Sequence, residues 1–161
     1  AFNRVDVRVI ATAHASLMAA AAFVQHRGIT PMVLGDAVTG ESREVAKVHA
    51  AIARQLRLHS HPFRPPVAVI SGGETTVRVR NSEGRGGRNS AYLLSLALAL
   101  NGAPGISALA CDTDGIDGTE DNAGAIIDPP VATAVAVQPA FFTSGMLHDP
   151  LRMVGEASFG Q

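Results

Sequence analysis

The sequence predicts an α/β fold: a three-layer α/β/α sandwich around a mostly parallel, partly mixed sheet. Three observations predict it. Short apolar runs alternate with longer segments of helical periodicity along the 161 residues. Hydrophobic residues make up 47% of the chain and aromatics only 4%, with no Trp and one Tyr. The core is therefore built from Ala, Val, Leu and Ile, which suits helices packed on a parallel sheet better than a β-sandwich. Finally, Gly-rich polar loops follow the apolar runs, where open α/β sheets bind their ligands.

In chain order, residues 5–11 carry Val5, Val7, Val9 and Ile10 and read as a strand. Residues 13–25 are Ala-rich and read as a helix, with Gly28 as its C-terminal cap. Met32, Val33 and Leu34 form a short strand ending at Gly35-Asp36, which completes a βαβ unit and predicts parallel pairing with a right-handed crossover. Residues 41–58 read as a second helix, with Val45, Val48, His49, Ile52 and Leu56 at helical spacing on one face. Glu41 and Glu44 at its positive end and Arg54 and Arg57 near its negative end suit the macrodipole. A Pro-rich loop, 59–66, stops it. Residues 67–70 are a buried strand, and 75–80 alternate Val77 and Val79 with Arg78 and Arg80 as a half-exposed strand. Residues 90–100 form a helix apolar enough to be buried on most sides. Residues 106–111 are a further buried strand and 123–127 a short apolar one; periodicity is weak beyond 128, and there is no internal repeat.

Thirteen basic and 14 acidic residues leave a net charge of −1, so no global field draws nucleic acid or an anionic membrane. The longest apolar runs, 15–24 and 92–100, fall short of the ~20 residues that span a bilayer. Cys111 is the only cysteine, which excludes an internal disulfide and a multi-thiolate zinc site and fits a reducing cytoplasm. Its place at the end of a buried strand points to packing rather than reactivity. The chain begins Ala1-Phe2-Asn3-Arg4 with no initiator Met and no signal-peptide pattern, and reads as a fragment or a processed chain.

Chemistry concentrates in three loops. Ser71-Gly72-Gly73-Glu74 leaves the 67–70 strand, and Glu74 can accept a ligand hydroxyl or hold a loop. Gly84-Arg85-Gly86-Gly87-Arg88-Asn89 runs into a helix. Glycines let the backbone approach a ligand, free N–H groups favour an anion, and the forks of Arg85 and Arg88 match phosphate or carboxylate oxygens. The plain alternative is a solvated turn. Asp112-Thr113-Asp114-Gly115-Ile116-Asp117-Gly118 crowds three carboxylates in a pattern that suits Mg²⁺, with Asp112 and Asp114 as candidate ligands; Asx turns and a helix cap are the competing reading. No P-loop and no dinucleotide fingerprint is present, because Asn89 stands where the third Gly of Gly-x-Gly-x-x-Gly would fall.

Together with Asp121-Asn122-Ala123-Gly124-Ala125, and with Val33-Leu34-Gly35-Asp36 and Glu41-Ser42-Arg43-Glu44-Val45-Ala46 upstream, these loops resemble the MOFRL-type C-terminal domain of the glycerate 2-kinases in order and spacing. The resemblance covers residues 3–128, with its motif core at 67–128. It implies ATP-dependent phosphorylation of D-glycerate to 2-phosphoglycerate, with Mg²⁺, in the cytoplasm, and a homodimer as one assembly. Members are often labelled hydroxypyruvate reductase, in tartrate-degradation contexts. Family members have two α/β domains with the active site in the cleft between them, so an N-terminal partner domain is expected beyond this chain.

On that resemblance, Arg85 and Arg88 contact phosphate or the glycerate carboxylate, and Asp114 and Asp117 hold Mg²⁺ or orient the substrate hydroxyl. Ser71, Gly72, Gly73, Glu74, Gly86, Gly87 and Asn89 complete the binding loops. Two departures stand out. Ser90-Ala91 occupies the place of the family's Gln-Glu, and the chain from Val131 on does not match the family's closing segment. The expected organisation is an α/β domain over 1–130 followed by an atypical, poorly ordered segment over 131–161. The alternatives are an NAD(P)H-dependent hydroxypyruvate reductase, against which the missing fingerprint argues, and a non-catalytic anion-binding domain.

Overall fold

A computed structural model describes residues 6, 8–78, 86–119, 121–128 and 131–137, the last of these as backbone only. Helix α1 (Ala13–Gln25) begins where Thr12 Oγ1 accepts from the backbone N–H of Ala15 at 3.1 Å, an N-terminal cap. The strand expected over 5–11 is not formed at 8–11, which hold no regular structure. Alternating valines favour a strand only where a neighbour takes the backbone hydrogen bonds.

The βαβ unit therefore lies one element further on. Strand β1 (Thr30–Gly35) is followed by a two-residue strand β2 (Gly40–Glu41), helix α2 (Ser42–His59) and strand β3 (Val67–Ser71), and β3 pairs parallel with β1. Helix α2 keeps Glu44 in its first turn and Arg57 in its last, as its dipole favours. It stops at Ser60, a residue in the left-handed region at φ 52°. The strand expected over 75–80 reduces to β4 (Thr75–Thr76), paired parallel with β2; Val77 and Arg78 are outside it, and residues 79–85 lie outside the described residues.

Helix α3 (Arg88–Leu100) starts two residues before the sequence expectation and ends at Asn101, φ 49°. Strands β5 (Ala108–Cys111), β6 (Gly124–Asp128) and β7 (Val131–Val137) form an antiparallel sheet in that order. The α/β class holds, with parallel pairing in β1–β3 and β2–β4. Among the described residues the strands divide into three small sheets, two parallel pairs and one antiparallel sheet, where one mostly parallel, partly mixed sheet was expected. β7 also carries the third sheet across residue 130, where the domain was expected to end; residues 138–161 lie outside the described residues.

The core lies between α2, α3 and the third sheet. Ala46 and Ala50 of α2 meet Leu93, Leu96 and Leu100 of α3, which in turn cover Ala125 and Ile127 of β6. Alanines on α2 let the two helices approach closely. Within this interface His49 Nδ1 lies 2.6 Å from Tyr92 Oη, with the rings edge to face. Burial pushes the Tyr92 hydroxyl up to about 12 and the His49 imidazole below its ordinary 6.5. With the proton on Nε2, neutral His49 accepts the Tyr92 O–H hydrogen bond at Nδ1. Because the folded state disfavours the imidazolium, stability is full above the unfolded value and falls as pH drops through it. The urea midpoint of the chain is expected to fall between pH 7 and pH 5, and to fall less in His49→Gln; parallel falls in both would remove His49 as the cause.

Candidate functional site

The three Gly-rich loops meet at one end of the fold. The loop after β3 is locked to the loop after β1: the Gly72 N–H donates to the Gly35 carbonyl at 2.9 Å, and the Val38 N–H donates to the Gly72 carbonyl at 3.0 Å. Gly73 sits at φ +143°, where a Cβ would lie 2.1 Å from the Val38 carbonyl oxygen, so only glycine fits. This holds Ser71 at the exposed end of β3 and Glu74 at the loop's rim. The start of α2 joins the same end through Ser42, fully buried, whose Oγ lies 2.9 Å from Thr75 Oγ1.

Arg88, the first residue of α3, reaches both neighbouring loops. Its Nε and Nη2 donate to Asp112 Oδ2 at 3.0 and 2.7 Å, and its Nη1 donates to Glu74 Oε2. The Asp112 side chain is 15% exposed and that of Glu74 is 75% exposed, so one partner is fixed in the structure and the other stands in solvent. The hydrogen bonds that Arg88 donates to Asp112, and more weakly the charge of Glu74, hold the guanidinium above its ordinary value.

Asp117 lies beside this network and has a different role. It is fully buried. Its Oδ1 accepts from the backbone N–H and Nδ2 of Asn89 at 2.9 and 3.1 Å, and its Oδ2 accepts from the backbone N–H and Oγ of Ser90 at 2.8 and 2.6 Å. The anion expected at this helix N-terminus is thus the protein's own carboxylate, which complements the unpaired N–H groups and the dipole. Gly87 is buried against it, and a Cβ there would lie 2.1 Å from Asp117 Cγ. Gly86 is joined to Thr119, its N–H donating to Thr119 Oγ1 at 3.3 Å.

The sequence-derived residues therefore separate into groups. Glu74, Arg88 and Asp112 come together as one ionic network. Gly87, Asn89 and Asp117 come together as the seat of α3. Ser71 and Gly72 edge the site from β3. Asp114 joins neither group; it is exposed, and its Oδ1 accepts from the Ile116 N–H at 3.0 Å, the Asx-turn reading. Arg85 lies outside the described residues. Ser90 and Thr119, which sequence reasoning passed over, prove to be anchors. Ser90 had one visible signal, a hydroxyl in the first turn of a helix.

The donor set does not fit a metal at Asp112 and Asp114. Asp112 is held by a guanidinium, which would repel a cation, and Asp114 caps its own turn. Among the described residues no three His, Cys, Asp or Glu side chains gather as a ligand set. Burial, then Asp112 and Asp117, push the Cys111 thiol up, so it remains a thiol at neutral pH. Among the described residues no helix is long and apolar enough to cross a membrane.

A helix-and-sheet scaffold with polar loops gathered at strand ends around a fixed arginine defines an α/β domain, a class whose open sheets generally bind ligands beyond the strand ends. Comparison with known proteins narrows it further: residues 67–144 match the model of the MOFRL family. A relative from Agrobacterium vitis, provisionally named hydroxypyruvate reductase, is 54% identical over 125 residues, covering 77% of this chain and 32% of the relative. The D-glycerate 2-kinase of Thermotoga maritima is 32% identical over 126 residues, covering 78% of this chain and 30% of the relative. The crystal structure of the Thermotoga maritima glycerate kinase superposes with a TM-score of 0.70 at 32% identity, covering 76% of this chain and 30% of that one. The chain thus spans about a third of the length of the relatives it matches.

Proposed function

We propose that the chain is the MOFRL-type, C-terminal domain of an ATP-dependent glycerate 2-kinase, which transfers a phosphoryl group from ATP to D-glycerate in the cytoplasm. It would act with an N-terminal α/β domain of the same parent and have little turnover alone. The observation that carries this reading is Arg88, held at the meeting of three loops by one half-buried and one exposed carboxylate. Phosphoryl transfer needs positioning and charge neutralisation more than covalent chemistry. A guanidinium has five N–H donors, and two of those on Arg88 face Asp112 while one faces Glu74. An incoming phosphate or glycerate carboxylate takes the place of the exposed Glu74, while Asp112 keeps the fork aimed. Arg85 is assigned the second anion contact and Asp114 the orientation of the substrate hydroxyl. Asp117 acts indirectly, by seating α3 and with it Arg88. ATP and its Mg²⁺ belong to this reading, and no residue described here is assigned to hold the metal.

Arg88→Ala in the full-length parent is expected to lower kcat/KM for glycerate at least about tenfold, the scale of losing a charged contact in the transition state. An unchanged value would remove Arg88 from the site. The name of the Agrobacterium vitis relative favours a second reading, a hydroxypyruvate reductase. ADP formation from glycerate and ATP, set against NADH oxidation with hydroxypyruvate, separates the two in the same parent.

A further inference from the structure

Helix α1 has the composition of an element buried on two sides, and one side is open. From Ala13 to Gln25 it carries no Asp, Glu, Lys or Arg. Ala21 is buried and Leu17 and Val24 are half-buried on the side packed on β1 and β3, with Leu17 in contact range of Gly72. On the opposite side Ala15, Met18, Ala19 and Ala22 follow helical spacing and are exposed, Met18 by 48%. Val9 and Ile10, just before the helix, are 74% and 96% exposed. Helix α2 shows the contrast, since its solvent side carries Arg43, Glu44, Lys47 and Arg57. A helix apolar all round is a buried helix, and a contiguous exposed apolar patch marks an interaction surface. The sheet beneath repeats the pattern. β1–β3 is a parallel pair in which no residue is fully buried, although parallel sheets occur with both faces covered.

We propose that the exposed side of α1, with Val9 and Ile10, is the docking face for the remainder of a full-length kinase polypeptide. Length points to the occupant: the matched relatives and the solved kinase are about three times as long as the stretch this chain matches, 32% and 30% of their chains being covered. It presents an apolar face, because α1 offers no charge to pair. The small side chains of Ala15, Ala19 and Ala22 let it approach closely. This inference rests on the two-domain kinase reading.

The test compares Met18→Glu in two settings: the 161-residue chain, and a full-length chimera in which this chain replaces the matching third of the Agrobacterium vitis relative. In the chain alone, the substitution is expected to leave the unfolding temperature unchanged and to lower the emission of bound anilinonaphthalene sulfonate severalfold. In the chimera the dye should find no such site, and Met18→Glu should lower the unfolding temperature by ~5 °C or more. Equal unfolding temperatures for the chimera and its variant, or no dye difference in the chain, overturn the proposal. So does a wild-type chain that sediments as a dimer and dissociates on Met18→Glu, which gives the face to a second copy. A chain ending at Val137 that gains dye binding assigns the face to residues 138–161 and overturns it too. Glycerate-dependent ADP formation by the chimera reports the kinase reading separately: its absence, with the stability difference present, counts against that reading and leaves the surface standing.

Discussion

Gly87→Ala is expected to destabilise the chain by ~4 kcal/mol or more, most of the stability of a domain at the lower end of the usual range of about 5–15 kcal/mol. The reason is space rather than backbone conformation: Gly87 has φ −139°, which any residue adopts. A methyl group there would stand 2.1 Å from Asp117 Cγ and 2.3 Å from both the Asp117 carbonyl oxygen and Oδ1. Overpacking alone costs ~1–3 kcal/mol. Here the displaced atoms also hold the first turn of α3, so relief of the clash breaks hydrogen bonds to a buried carboxylate, each worth about 1.5–3 kcal/mol. Gly86→Ala is the internal control. Nothing lies within 4 Å of its Cβ position, and its φ of +152° leaves a backbone cost of about 1–3 kcal/mol. Urea unfolding of both variants, with the slope checked for constancy, measures the difference. A Gly87→Ala midpoint no lower than that of Gly86→Ala would mean that the two loops are not in contact.

The parts of this fold that were legible in the sequence are those decided locally. Helix α2 announced itself through the spacing of Val45, His49, Ile52 and Leu56 and through charges placed to suit its dipole. Strand β3 did so through a four-residue apolar run before glycines. The failures are non-local. Residues 8–11 carry the apolar pattern of a strand but have no strand beside them among the described residues. Val77 leaves the ladder after Thr76 because its partner, β2, is two residues long. The start of α3 was placed two residues late because its cap is not a neighbouring Ser or Asp but Asp117, nearly thirty residues on. Strand β7 was missed because it draws its order from pairing with β6 rather than from its own pattern.

The same rule governs the site. The three loops were visible as Gly-rich punctuation after apolar runs, and Arg88 stood out by the geometry of its fork. Which carboxylate serves which purpose was not visible, because Asp112, Asp114 and Asp117 are equivalent on a line of text. Folding separates them by depth and partner: Asp112 fixes Arg88, Asp114 shapes its own turn, and Asp117 is enclosed by four donors. A cluster that resembles a metal site by composition is divided among three structural tasks. The proposed function assigns the ligand to the open rim where Glu74 stands in solvent.

Asp117→Asn is the sharper test of that division. The carboxylate offers two oxygens, each accepting two donors from Asn89 or Ser90. An amide keeps one oxygen and turns an NH₂ group toward the other pair, so two donors lose their acceptor and face a donor inside a closed site. Hydrogen bonds to a charged group are worth about 1.5–3 kcal/mol each, and the variant loses about two of them, so a cost of ~3–5 kcal/mol is expected. Ser90→Ala removes one donor and leaves the carboxylate three others, for about 1.5–3 kcal/mol. If Asp117 instead touched substrate, the order would invert: Asp117→Asn would unfold at the wild-type urea midpoint and lose turnover in the full-length parent. An anchoring Asp117 predicts a large fall in midpoint. In any parent stable enough to stay folded, it also predicts a loss of kcat/KM that follows Arg88, because α3's first turn and the guanidinium it carries move together.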